Sequence, residues 1–123
     1  MARGTPTPDD VNSYLPLPAS VMHIIVAVAG GEKHGYAIMR DIEELSGGSV
    51  TMGPGTLYGS IKRMIDQGLL EEADERPDPA LDDERRRYYR LTALGHRVGA
   101  SERDRLNALL AASEIRHLGL GTA

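Results

Sequence analysis

The side chains best suited to chemistry in this chain lie between Gly53 and Leu70. Leu57, Ile61, Met64 and Ile65 recur at helical spacing and form one apolar stripe. Thr56, Tyr58, Gly59, Lys62 and Arg63 point the other way. Pro54 suits the first helical position and Gly68 the residue that ends the helix. A face of hydroxyls, one aromatic ring and two adjacent cations can bond phosphates and base edges in a DNA groove, and Gly55, Thr56 and Gly59 are small enough to permit close approach. Thr51 lies just ahead of this helix. Taken alone, the segment fits an ordinary surface helix equally well.

A second group of donors is Arg85-Arg86-Arg87-Tyr88-Tyr89-Arg90, which reads as a strand. Alternation puts Arg87, Tyr89 and Leu91 on one side and Arg86, Tyr88 and Arg90 on the other, with Leu91 expected to face the core. Arg86 and Arg87 are therefore either solvated or phosphate contacts. Tyr36 is either a core residue or a hydroxyl that reaches the DNA backbone.

Other chemistries find little support. His23, His34, His96 and His117 are far apart and lack metal-ligand spacing, so no metal or other cofactor is expected. His34 is expected to position a helix start. Gly53-x-Gly55 has no long strand before it and no Lys-Ser/Thr after it, so it is not a phosphate loop. Asp82, Asp83 and Glu84 are consecutive and diverge. No Ser, His and Asp fall in a triad-like arrangement. An enzyme has no motif behind it.

These donors have to be positioned by a small chain. At 123 residues it is one domain or one domain plus an appended element. The absence of Trp and Phe leaves Leu, Ile, Val, Ala and Met to build the core, with the methionines as gap-fillers. With no Cys there is no disulfide, which fits a reducing compartment. No apolar run approaches the ~18 residues of a bilayer span. A cytoplasmic protein without membrane contact is expected. The net charge of −4 counts against nucleic-acid binding through bulk charge, so any DNA contact must come from local cations.

Residues 1–17, rich in Thr, Pro and Asp, read as a flexible arm. A buried helix runs from Pro18 to about Ala29. A second spans about Tyr36 to Ser46, with Ile38, Ile42 and Leu45 inward and Gly47-Gly48 as its cap. Ser49-Val50-Thr51-Met52 could form a minimal strand. The Gly53 helix follows, then a strand from Leu69 to about Ala73, a polar loop from Asp74 to Glu84, and the Arg strand to Leu91. Thr92 is a plausible N-cap for a last helix from Ala93 to about His117, on the order of 35–40 Å long. The fold class is mainly α with a small β-hairpin. The order of elements is that of a winged helix-turn-helix over 18–92, a C-terminal helix over 93–118 and a tail over 119–123. So long a last helix has too little of its own subunit to pack against and is expected to pair with a second copy.

Four stretches resemble the PadR transcriptional regulators: His34-Gly35-Tyr36-Ala37-Ile38, Gly53-Pro54-Gly55-Thr56-Leu57-Tyr58, Met64 to Leu70, and Arg85 to Thr92. In order and spacing the resemblance covers roughly Pro18 to Gly95. It implies a dimeric winged-helix DNA-binding protein, usually a repressor, whose C-terminal helix dimerises, often with the partner's first helix. One helix after the wing is similar to the short-tailed branch. Some of its members bind flat aromatic drugs in a dimer-interface pore, stacked on a Trp that this chain lacks. The wing tip also departs from the pattern, because Asp78, Asp82, Asp83 and Glu84 make it acidic.

The expected partners are therefore double-stranded DNA, as a pseudo-palindromic operator, a second copy of the chain, and a small-molecule effector at the dimer interface. Expected DNA contacts are Tyr36, Thr51, Pro54, Gly55, Thr56, Tyr58, Gly59, Lys62, Arg63, Arg86 and Arg87. Expected interface residues are Val21, Ile24, Ile25 and Val28 on the first helix and Leu94, Val98, Leu106, Leu109 and Leu110 on the last. The alternative is a small-molecule-sensing or protein-interaction dimer that has lost DNA binding, and the acidic balance is its support.

Overall fold

The computed structural model describes residues 8–77 and 85–119. A 3₁₀ segment (Pro8–Tyr14) leads into helix α1 (Ala19–Val28), a two-residue strand β1 (Lys33–His34) and helix α2 (Gly35–Leu45). Helix α3 (Pro54–Asp66), strands β2 (Leu70–Pro77) and β3 (Arg85–Leu91), helix α4 (Ala93–Ala111) and a 3₁₀ turn (Ser113–His117) follow. The strands form one antiparallel sheet in the order β1-β3-β2. The helix-turn-helix and wing arrangement is as the order of elements predicts.

Local chemistry sets each boundary. The His34 ring nitrogen Nδ1 accepts the Ala37 N–H at 3.1 Å and caps α2, the helix-positioning role expected of it. Pro54 occupies the first turn of α3. Gly68 takes φ +80°, so the chain reverses there, and the Leu69 N–H reaches back to the Met64 carbonyl at 2.8 Å. The Thr92 hydroxyl accepts the Gly95 N–H at 2.9 Å, which makes it the N-cap of α4, and donates to the Gly68 carbonyl at 2.5 Å. Start of α4 and exit of α3 are thus tied to one side chain.

The core is aliphatic, as the lack of Phe and Trp requires. Ile24, Ile38, Ile42, Leu57, Met64, Leu69, Leu70 and Val98 are its most deeply buried members, and Tyr89 and Leu91 close it from the sheet.

Several expectations do not survive. The flexible arm expected over 1–17 is not what residues 8–17 form. Val11, Tyr14, Leu15 and Leu17 pack against the core, and the Tyr14 hydroxyl donates to the Gln67 carbonyl at 3.0 Å. Apolar residues every three or four positions gave this polar-looking stretch a face to bury. Residues 1–7 lie outside the described part. Ser49–Met52 is no strand; the sheet takes Lys33–His34 instead, paired with Tyr89 and Tyr88. Strand β2 runs on to Pro77 rather than giving way to a loop at Asp74, because a bulge between Glu72 and Glu75 absorbs the irregularity. Tyr88, expected outward, is buried: His34 meets its ring edge-on and the Arg76 guanidinium lies 3.6 Å from its centroid. Leu45 is 62% exposed rather than inward, since α2 ends there and Gly47 and Gly48, both with positive φ, turn the chain away. The acidic wing tip, with Asp78, Asp82, Asp83 and Glu84, lies outside the described residues, as does the end of the tail.

Helix α4 is 19 residues, about 28 Å, and stops at Ala111 instead of near His117. From Asn107 onward its described residues are exposed, so nothing among the described residues packs against further turns. No described helix is long and apolar enough to cross a membrane.

The apolar positions of α4, Leu94, Val98, Leu106, Leu109 and Leu110, leave a gap between Gly99 and Arg105, where Glu102 is buried. Its carboxylate accepts the Leu17 N–H at 2.9 Å and both Nε and Nη2 of Arg105 at 2.5 and 3.0 Å. Hydrogen bonds from Arg105 hold this carboxyl below the usual range against the opposing effect of burial, and the Leu17 bond adds to them. A lowered folded value means that the stabilisation is complete above the unfolded carboxyl value and lost as pH falls through the folded one. Glu102→Gln is therefore expected to melt below wild type at pH 7. The gap should narrow below about pH 4, near and under an ordinary Glu value. Parallel thermal melts at both pH values check this, and an equal gap at both would remove the charge from the explanation.

Candidate nucleic-acid interface

Helix α3 buries Leu57, Ser60, Ile61 and Met64 and presents Thr56, Tyr58, Gly59, Lys62, Arg63 and Asp66 outward. The polar face expected from the sequence is present, with Pro54 and Gly55 exposed at its N-terminal end and Thr51 exposed in the approach loop. Lys62 and Arg63 form no ion pair with a described residue, which leaves both ammonium and guanidinium available to an external anion.

These residues divide between two flanks. Tyr58 faces the wing, where it shares a recess with Gly35, Arg86, Arg87 and Tyr89. Burial pushes the Tyr89 phenol up, and Tyr58 adds to that effect. Arg63 stands about 140° further round the helix than Tyr58, by the 100° turn per residue, and lies beside Tyr14 and Gln67 instead. The sequence treats Lys62 and Arg63 as one adjacent pair, but the fold places Arg63 toward the 3₁₀ segment rather than the wing.

Tyr36 is exposed on α2 and is not a core residue. Two guanidinium groups lie over its ring, Arg40 at 5.8 Å and Arg86 at 5.9 Å from the centroid. Both distances suit cation–π attraction. Tyr36, Arg40, Thr51 and Met52 border a shallow recess at the N-terminal side of α3. Arg40 was missed at the sequence level. Its i,i+4 spacing from Tyr36 on an otherwise solvated helix face was the available signal.

The wing is less cationic than its sequence suggests. Arg87 pairs with Glu72 at 3.3 Å. Arg90 pairs with Glu71 at 2.9 Å and with Glu32 at 3.2 Å, and Arg76 reaches Glu32 at 2.7 Å. Hydrogen bonds from Arg76 and Arg90 hold the Glu32 carboxyl below its ordinary value. Antiparallel pairing sets acidic β2 against basic β3, with Glu71 opposite Arg90. Arg86 is half-buried and Arg87 exposed.

The expected interface residues are placed unevenly. Val21, Ile24, Ile25, Val28 and Val98 are core residues of the protomer itself and have almost no surface left for a partner. Their apolar character has an internal cause. Leu94 and Leu106 are half-buried, and Leu109 and Leu110 are exposed at 57% and 56%. Val26, which the sequence reading passed over, is exposed at 45%, and Ile115 and Leu118 are also uncovered.

A sequence profile described as the transcriptional regulator PadR-like family matches residues 23–101, more than half of the chain. A relative, an uncharacterized 37.1 kDa protein in transposon TN4556 of Streptomyces fradiae, is 36% identical over 77 residues. That match takes in 63% of this chain but only 20% of the relative, so the chain spans about a fifth of its length. Among solved structures, a transcriptional regulator from Clostridium thermocellum superposes with TM-score 0.61 at 19% identity, over 85% of this chain and 90% of that one. RosR of H. salinarum gives 0.58 at 25% identity, over 85% and 87%. Bacillus subtilis PadR in complex with operator DNA gives 0.55 at 19% identity, over 80% and 50%. The matched span holds α2, α3, both wing strands and the start of α4, and the chain belongs to the PadR-like family of transcriptional regulators.

Proposed function

We propose that this regulator is a cytoplasmic homodimer that binds a pseudo-palindromic operator, represses transcription from it, and is released by a small molecule held at the dimer interface. One observation carries the DNA reading: the outward face of α3 exposes Tyr58 and Lys62, and Tyr58 shares a recess with Arg86, which with Arg40 lies over the Tyr36 ring, while the inward face of α3 is engaged in the core. Two such faces would meet half-sites about one helical turn, roughly 34 Å, apart. Thr56 and Thr51 supply hydroxyls at the groove end, and Pro54, Gly55 and Gly59 leave room for a phosphate backbone. Arg63 would reach the flanking backbone on the opposite side.

The dimer reading draws support from Leu109 and Leu110 at the end of α4, which the described residues leave more than half exposed. Between α1 and α4 runs a groove of about 470 Å³ bordered by Met22, Val26, Ala29, Gly99 and Ala100. Its size and apolar lining suit a small ligand. An effector there releases DNA only if it binds the dimer better in a spacing unfit for the operator.

The paired wing arginines favour a second reading, a sensing or interaction dimer without DNA binding, because their positive charge is already engaged by Glu71, Glu72 and Glu32 instead of facing phosphate. Fluorescence anisotropy separates the two, using the DNA upstream of the protein's own gene and unrelated DNA at two salt concentrations. Tight, competitor-resistant binding that weakens with salt is expected of the regulator. Equal, weak binding to both, followed by failure to select any duplex from random DNA, would establish the second reading.

A further inference from the structure

Gly35 opens α2 and is buried, and its neighbour across the helix-turn-helix is the ring of Tyr58. A Cβ built on Gly35 would lie 2.6 Å from Cζ and 2.8 Å from Cε1 of that ring, with Oη nearer still. Those separations are well inside van der Waals contact, so the two groups exclude each other. The atoms in the way are the far end of a half-exposed side chain, not backbone. A methyl group at position 35 would therefore be accommodated by swinging the Tyr58 ring about its Cα–Cβ bond, at little expense to the core.

The backbone at position 35 makes no demand for glycine. Gly35 is not among the glycines with positive φ, and it occupies the first turn of a helix. Alanine there is conformationally at least as favourable, since glycine loses more freedom on folding. The missing side chain is thus explained by the Tyr58 ring rather than by the turn. By contrast, Gly55 and Gly59 on the outward face of α3 have open space around their Cβ positions and restrain nothing.

We infer that Gly35 is a positioning residue for DNA recognition: by lacking a side chain it seats the Tyr58 ring against the N-terminal turn of α2 and fixes where the Tyr58 hydroxyl meets DNA. The inference rests on the DNA-binding reading proposed above. It separates two roles that a single-residue scan would merge, because a Gly35 variant would lose affinity without itself touching DNA.

The test uses the full chain and a duplex that the wild-type protein selects from random-sequence DNA, in a four-member cycle of wild type, Gly35→Ala, Tyr58→Ala and the double variant. Gly35→Ala is expected to melt at or above the wild-type temperature and to bind about tenfold more weakly, the scale of one lost contact. Added to Tyr58→Ala, the same substitution should change affinity less than about twofold, since the ring it displaces is gone. Wild-type affinity in Gly35→Ala would overturn the inference, as would an equal loss in both backgrounds. A Gly35→Ala chain that no longer melts cooperatively while the double variant does would also overturn it, by making Gly35 a packing residue. If the wild-type protein selects no duplex, the DNA reading falls and the inference with it. If wild type binds and Tyr58→Ala weakens binding while Gly35→Ala does not, the inference alone fails.

Discussion

Tyr58→Ala and Lys62→Ala are each expected to weaken operator binding roughly tenfold, with the melting temperature unchanged. The two expectations share a geometric basis. Tyr58 is 44% exposed and Lys62 exposed, so neither supports the core, which Leu57, Ile61 and Met64 fill from the same helix. Their mechanisms differ. Lys62 offers a cation with no partner among the described residues, so its loss should also flatten the dependence of affinity on salt by about one released counterion. Tyr58 offers an uncharged hydroxyl and ring, so its loss should leave the salt dependence near wild type. Arg90→Ala is the control. Its guanidinium is held by Glu71 on β2 and by Glu32 on the loop between α1 and β1, and its removal should leave affinity nearly unaltered. Anisotropy titrations of the three variants at two salt concentrations decide the matter. Wild-type affinity in both Tyr58→Ala and Lys62→Ala would remove α3 from the interface.

Much of this arrangement was legible because it depends on local rules. Helical spacing named the inner face of α3, Gly68 marked its end, and Thr92 marked the start of α4. Features that depend on distant partners were not. Lys33–His34 is too short to carry a strand signature and is a strand only because β3 lies beside it. Tyr88 is buried because His34 and Arg76 cover the second face of the sheet, and strict alternation says nothing about what covers a face. Glu102 interrupts an apolar stripe and reads as a defect until Leu17 and Arg105 are seen to satisfy it. The pairing of wing arginines with β2 carboxylates follows from register, which the sequence leaves open at the bulge. Val21, Ile24, Ile25 and Val28 on α1 illustrate the opposite error. Their apolarity was assigned to a partner subunit when the protomer's own core accounts for it.

That last distinction sharpens the expectation for dimerisation. Leu109→Glu is expected to raise the dimer dissociation constant by at least a hundredfold while the isolated protomer keeps its fold. Leu109 and Leu110 are both more than half exposed in the protomer, so a carboxylate there remains hydrated in the monomer. The penalty appears only on association, when an apolar seam would have to strip its water, and an unpaired buried charge costs several kcal/mol. Val98→Glu should behave differently although it lies on the same helix. Val98 is fully buried within the protomer, so its charge would oppose folding itself. Light scattering and thermal melting together separate the cases: a folded monomer for Leu109→Glu, loss of the cooperative transition for Val98→Glu. DNA binding should follow the first result. With two half-sites no longer linked, Leu109→Glu should lose the affinity that joint engagement supplies, while each reading face stays intact. A Leu109→Glu protein that still runs as a dimer would move the interface off the end of α4, leaving the α1 face around Val26 as the surface to test next.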